Sequence, residues 1–306
     1  MEFTSSSEQS HSLSGAIRLQ STPQTRRLII NADDFGLTEG VNQSILELAH
    51  HRALTSTTLM ATGSAFYQAV AAAHAYPDLG IGCHVVLADG HPATSPGRIR
   101  SLLTDGDSFR PTLGTFVRDL LLGRIREQEM ETEACAQIQK LQQAGIAVTH
   151  VDTHKHTHMF PAVLRPLLSA ARRCGVRAIR NPFEPEWALR ATAGAPAMRR
   201  LEVRILRSQR AAFHRLVRQA GLSTTDGSIG VLATGTLDAH TLTQLTNGIP
   251  CGTWELVCHP GYNDAELAQV KTRLRESRAI EHASLLEVIP ELADVEKIHF
   301  GALSSL

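Results

Sequence analysis

The sequence predicts an α/β fold built around a mostly parallel sheet. Three observations carry that prediction. From Arg26 onward, short apolar or β-branched runs alternate with longer amphipathic stretches. Seven or so such runs occur, most of them separated by a helix-length segment, which implies right-handed crossovers between parallel neighbours. Several runs end in acids or histidines, and a parallel sheet collects its polar chemistry at the C-terminal ends of its strands. Such a sheet is either open or closed into a barrel.

The elements follow in order. RRLIINAD (26–33) is a continuous apolar run ending in acids, as a buried parallel strand does. Thr38 can cap a helix over 39–51, on which Val41, Ile45 and Leu48 recur at helical spacing. TSTTLMAT (55–62) is β-branched and reads as the second strand. A helix over 65–76 closes at Pro77, and LGIGCHVVL (79–87) is the third strand. Residues 88–112 hold Gly, Pro, Asp and Ser and form a long loop over one end of the domain. One helix is expected over 113–144, ended by Gly145. AVTHVDTH (147–154) is a strand, 161–174 a helix opened by Pro161, and VRAIR (176–180) a further strand. The pattern loosens into a helical insertion over 181–228. Strands at 228–234 and 253–259 then flank a helix at 238–247, followed by a helix at 264–283 and a last strand at 296–301. Residues 1–25 are rich in Ser, Thr and Gln and read as a disordered lead-in, leaving 26–306 as a single domain.

Bulk composition excludes several classes. Thirty Lys and Arg balance thirty Asp and Glu, so neither a nucleic-acid groove nor an anionic membrane surface is indicated. The basic runs at Arg199-Arg200 and from Arg204 to Arg210 read as solvated helix faces. No apolar stretch reaches the ~18 residues of a membrane span, and the N-terminus has neither the basic nor the apolar segment of a secretory signal. Five cysteines, with no C-x-x-C pair, argue against a disulfide framework and for a reducing, cytoplasmic setting.

The chemistry lies in five strings. Asn31-Ala32-Asp33-Asp34-Phe35-Gly36 places two acids where a strand runs into a turn. Adjacent carboxylates there need a cation or an arginine; the plainer alternative is a helix cap with an exposed acid. The Asp34-Phe35-Gly36 triplet mimics a kinase metal motif, but no glycine-rich loop precedes it and no H-R-D loop exists. His84 ends its strand and alone would be a structural histidine. In His150-Val151-Asp152-Thr153-His154-Lys155-His156-Thr157-His158, four metal-competent residues alternate. On an extended chain Asp152, His154, His156 and His158 share one side in steps of about 7 Å, against the alternative of a His-rich surface loop. The string lacks H-E-x-x-H, which disfavours a zincin protease. Arg180-Asn181 and Cys258-His259-Pro260-Gly261 end two further strands; His259 there could serve as acid or base. Asp33/Asp34, His84, His154, Arg180 and His259 thus stand at five predicted strand ends, and an aspartate with two histidines suits a divalent ion that activates water.

The strings NADDFGLTEGVN (31–42), TSTTLM (55–60), IGCHVVLADGHP (81–92), THVDTHKHTHMFP (149–161) and VCHPGY (257–262) resemble the YdjC-like carbohydrate deacetylases, which include chitooligosaccharide and hopanoid-associated members. The resemblance spans roughly 26–285 and is weak across 181–228. It implies a distorted, NodB-like (β/α) barrel of about seven mostly parallel strands. It also implies one divalent metal per chain, Mg²⁺ or Zn²⁺, on Asp34, His84 and His154, with Asp33 as general base and His259 as general acid. A homodimer is implied as well. The third strand reads Gly82-Cys83-His84-Val85 where the family often has G-L-H-L, and the histidine is kept. The expected reaction removes the N-acetyl group of an amino sugar, in an N-acetylglucosamine oligosaccharide or a glycolipid. In it Arg180 holds Asp33 ionised, and Asp152, His156 and His158 contact substrate or the ligands. A glycosidase would need carboxylates on opposite faces of the sugar, and a two-metal phosphoesterase would need more carboxylates. A non-catalytic metal-binding protein is the remaining alternative.

Overall fold

A computed structural model describes residues 25–104, 106–192, 194 and 197–305. The lead-in expected at 1–25 lies outside the described residues, apart from Thr25. Seven strands form one sheet: β1 (Arg26–Phe35), β2 (Ser56–Leu59), β3 (Gly80–Val85), β4 (Val148–Thr153), β5 (Gly227–Ile229), β6 (Gly252–Cys258) and β7 (Glu296–Lys297). Their order is β4-β3-β2-β1-β6-β5, with β7 paired to the start of β1, and every pairing is parallel. Among the described residues ten α-helices accompany them: α1 (Glu39–His50), α2 (Phe66–Ala73), α3 (Leu113–Leu121), α4 (Glu127–Gln143), α5 (Pro161–Arg173), α6 (Glu186–Ala191), α7 (Ala197–Leu206), α8 (Arg210–Ala220), α9 (Ala239–Asn247) and α10 (Ser277–Val288).

The sheet curls into a distorted half-barrel, and single hydrogen bonds carry the chain across the remaining gap. Val151 N–H donates to Ala178 O and Arg180 N–H to Val151 O, both at 3.1 Å. On the other edge Ile179 N–H donates to Ser223 O at 3.0 Å, and Ser228 N–H to Phe183 O at 3.3 Å. The strand expected at 176–180 is therefore reduced to isolated bridges at Ala178 and Ile179. Just beyond them, Pro182 has no N–H with which to extend the pairing.

Period-2 alternation divides β1 between two environments. Leu28, Ile30 and Ala32 join the main apolar core with the surrounding helices. Ile29 belongs instead to a small cluster with Ala178, Phe300 and Leu303. Asn31 and Asp33 follow on the same face, linked by an Asn31 Nδ2–Asp33 Oδ1 bond of 3.0 Å. The inner floor is completed by His150, stacked on Phe300 with ring centroids 3.8 Å apart. Gly82 lies against that imidazole so closely that a Cβ would sit 2.4 Å from it. Above this floor the interior is polar, and the chemistry of the strand ends rests on it.

Several expected elements differ. The single helix over 113–144 is two, α3 and α4, broken where Gly123 takes φ 67°, a left-handed conformation favouring glycine. The strand expected at 228–234 stops at Ile229, and the chain turns at Gly230 (φ 86°). The helix expected at 264–283 begins only at Ser277. Asp264 and Thr272 side chains accept nearby main-chain N–H groups and Arg275 donates to Ala268 O and Val270 O, holding an irregular arch. The last strand shrinks to Glu296–Lys297 before the chain closes the barrel floor. Among the described residues no helix is long and apolar enough to cross a membrane, and all five cysteines are free.

Candidate metal centre

Two neighbouring carboxylates serve one site because β1 is irregular at its end. In a regular strand Asp33 and Asp34 would face opposite sides. Here the β1–β2 register shifts between Ala32 and Phe35, and Asp34 adopts φ 68°. A left-handed aspartate inside such a bulge is a local strain that brings both carboxylates to the same end of the barrel.

Asp34 then meets two histidines from other strands. Its Oδ1 lies 3.6 Å from His84 Nε2 and 3.5 Å from His154 Nδ1. Those two nitrogens are 3.3 Å apart. Donors at 2.0–2.1 Å from a tetrahedral ion stand about 3.3–3.4 Å from one another, so the triangle has the dimensions of one face of such a site. Asp34 Oδ1 is buried and has no hydrogen-bond partner, as expected of an oxygen left for a cation. His84 Nδ1 contacts Asp152 Oδ1 at 2.8 Å. With the ring proton on Nδ1, Nε2 presents its lone pair, the usual arrangement behind a ligating histidine. Burial opposes protonation of His84, but Asp152, Asp33 and Asp34 outweigh it and push its pKa up to about 9. The pocket thus favours positive charge where a cation would sit.

A second grouping, Asp33 with His84 and Asp152, has similar spacing. Its carboxylates are already committed. Arg180, wholly buried, donates Nη2 to Asp33 Oδ1 at 2.7 Å and Nη1 to Asp33 Oδ2 at 2.8 Å. It also binds Asp152 Oδ2, and its Nε reaches Glu255 Oε1 at 2.7 Å. Asn31 and Thr58 add bonds to Asp33 Oδ1. Burial alone would raise Asp33, yet the charge and hydrogen bonds of Arg180 hold it far below the usual carboxylate range. Glu255, where burial exceeds the help from Arg180, is pushed up to about 7.

His259 stands across from Asp33, its Nε2 3.7 Å from Asp33 Oδ2. Burial brings it down to about 4, against the pull of Asp33 and Asp34. Its main-chain N–H donates to Glu281 Oε2 at 2.6 Å. Asp34 Oδ2, the oxygen turned away from the histidines, accepts from Arg278 Nη2 at 2.5 Å.

The single polar face expected from Asp152 to His158 does not form. The strand ends at Thr153, and Lys155 and His156 take φ 59° and 51° within a short turn. Asp152 therefore lies beneath the site on His84 and Arg180, and His154 joins Asp34. His158 turns back into the protein, its Nδ1 2.7 Å from Thr153 Oγ1, and burial with Arg180 nearby lowers it to about 3. His156 is half-buried, with Nδ1 unpartnered. Neither His156 nor His158 belongs to the Asp34 group.

Glu255, Arg278 and Glu281 escaped the reading of the sequence. Glu255 sits mid-strand between apolar neighbours in TWELVC, a charge inside a buried run that signals an internal partner. Arg278 and Glu281 lie on a helix and look like ordinary surface charges.

The family model for YdjC-like protein matches residues 27–291. A carbohydrate deacetylase from Geobacillus stearothermophilus is 32% identical over 244 residues, covering 79% of this chain and 82% of its own length. A carbohydrate deacetylase from Mus musculus is 33% identical over 249 residues, covering 77% and 78%. Among solved structures, one from Enterococcus faecalis V583, of a protein proposed to cleave cellobiose-phosphate, superposes with a TM-score of 0.72. It is 24% identical, covering 91% of this chain and 99% of its own, and the likeness is one of fold.

Proposed function

The chain belongs to the YdjC-like protein family, and from that premise we propose that it is a hydrolase that removes the N-acetyl group of an amino sugar, with a divalent cation on Asp34, His84 and His154. The observation that carries the reading is the buried, unpartnered Asp34 Oδ1 facing two imidazole nitrogens at 3.5–3.6 Å. The substrate class comes from relatives named carbohydrate deacetylase; an N-acetylglucosamine oligosaccharide or glycolipid fits it. Two nitrogens and one oxygen suit Zn²⁺ better than Mg²⁺, which prefers an all-oxygen shell.

A cation in this position supplies Lewis acidity to an amide carbonyl and acidifies water. The protein's own groups divide the proton work. Asp33 Oδ2 accepts the proton of the attacking water. Arg180 keeps that carboxylate ionised and aimed, which guarantees its availability while weakening it as a base. His259 is neutral at rest because it is buried. It can give a proton to the departing amine only after Asp33, 3.7 Å away, has passed on the one taken from water, and the re-ionised Asp33 then offsets the charge of the imidazolium. Arg180 touches no solvent and acts by positioning. A two-metal phosphoesterase is disfavoured, since the carboxylates a second ion would need are held by Arg180.

The test is incubation of Zn²⁺-loaded protein with a panel of N-acetylated saccharides and glycolipids, read by mass spectrometry. A loss of acetyl from at least one member, abolished by a chelator, is expected. Intact acetyl groups throughout, or cleavage that ignores the chelator, would defeat the reading.

A further inference from the structure

Resting on the cation site just described, we propose that Arg278 of α10 is a positioning residue. It fixes the Asp34 carboxylate so that Oδ1 alone faces the cation. Arg278 is only 1% exposed, and its Nη2 holds Asp34 Oδ2 at 2.5 Å. The other oxygen, Oδ1, is left without a hydrogen bond and turned towards His84 and His154. One carboxylate is thus divided between an arginine and an imidazole pair.

That division has a chemical consequence. A free aspartate can chelate a divalent ion through both oxygens, and the second contact uses a coordination position that substrate and water require. A guanidinium on Oδ2 prevents it. The fold makes room for this contact at a cost in side-chain space. Gly261 passes over the stem of Arg278, and a Cβ there would lie 2.9 Å from Arg278 Cδ and 3.0 Å from Val41 Cγ2. Gly261 N–H also donates to Arg278 O at 3.3 Å, and Arg278 Nη1 to His259 O at 3.4 Å. One turn along the same helix, Glu281 accepts the His259 N–H. The helix therefore grips both walls of the site, Asp34 on β1 and the chain following β6.

The experiment titrates Zn²⁺ calorimetrically into metal-stripped wild type, Arg278→Met, Arg278→Lys and Gly261→Ala, with thermal unfolding as the check of folding. Wild type is expected to bind one Zn²⁺ per chain. Arg278→Met is expected to bind about 10- to 100-fold more weakly, because a carboxylate no longer held in place loses more as an oriented ligand than its freed second oxygen returns. Arg278→Lys should recover part of that loss. Gly261→Ala keeps the charge and pushes the stem aside, so it should weaken binding in the same direction. If Arg278→Met fails to fold, the other two variants decide. Folded variants with wild-type or tighter Zn²⁺ affinity would overturn the role of Arg278 and leave the site standing. A wild type that takes up no Zn²⁺ would overturn the site and this inference together.

Discussion

Replacing Asp33 by Asn separates the base from the metal site. The side chain keeps its shape, and Asp34, His84 and His154 are untouched. Asp33 accepts two bonds from Arg180, at 2.7 and 2.8 Å, with further bonds from Asn31 and Thr58. An asparagine can keep one acceptor towards this group, but its Nδ2 must then face an N–H of Arg180. One charge-assisted bond is lost, worth about 1.5–3 kcal/mol. Arg180 keeps Asp152 and Glu255, so the fold survives. Catalysis loses its proton acceptor, and general-base contributions run to about 10²–10⁴ in rate. The assay pairs acetate release at saturating substrate with urea unfolding and Zn²⁺ content. The expected Asp33→Asn protein is folded, carries wild-type Zn²⁺ and has kcat lower by at least about a hundredfold. A variant with kcat within a few-fold of wild type would refute the assignment of the base.

Three further outcomes follow from the buried charges and the packing of the floor. Arg180→Met removes the cation shared by Asp33, Asp152 and Glu255, and should destabilise the protein by about 3–5 kcal/mol at neutral pH. The gap from wild type should narrow on acidification, when the stranded carboxylates can protonate, as urea unfolding at pH 7 and 5 would show. In the wild type the sign differs. Burial lowers His150, His158 (about 3) and His259 (about 4), so below the unfolded value near 6.5 the unfolded chain binds more protons. Each such histidine lowers the folding equilibrium by about tenfold per pH unit below 6.5. Glu255 and Glu281, raised to about 7, each offset about as much. The three histidines outweigh the two carboxyls, so stability should fall as pH drops from 6.5 towards 5; a flat profile would contradict their burial as neutral rings. Gly82→Ala drives a methyl into the His150 ring and should cost about 1–3 kcal/mol, measured as a lowered unfolding midpoint.

The strand ends were legible because a parallel sheet concentrates polar residues there. Asp33, Asp34, His84, His154, Arg180 and His259 each stand out against an apolar run, and the structure brings all six to one end of the barrel. What stayed hidden depends on backbone that departs from periodicity. The alternation from Asp152 to His158 implied an extended chain, and two left-handed residues, Lys155 and His156, break it. The bulge at Asp34 has no sequence mark beyond the acid pair itself. Arg278 and Glu281 were invisible for another reason: on an amphipathic helix, charge is the default for the solvent face. Both lie on the buried side of a helix that begins only at Ser277, after an irregular stretch whose sequence has a helical pattern.

The central claim is most directly tested by a crystal of the protein soaked with Zn²⁺ and measured at the zinc absorption edge. The anomalous peak should lie within about 2.0–2.2 Å of Asp34 Oδ1, His84 Nε2 and His154 Nδ1, with one such peak per chain at the strand ends. A peak seated instead between Asp33 and Asp152, or none near Asp34, would contradict the account.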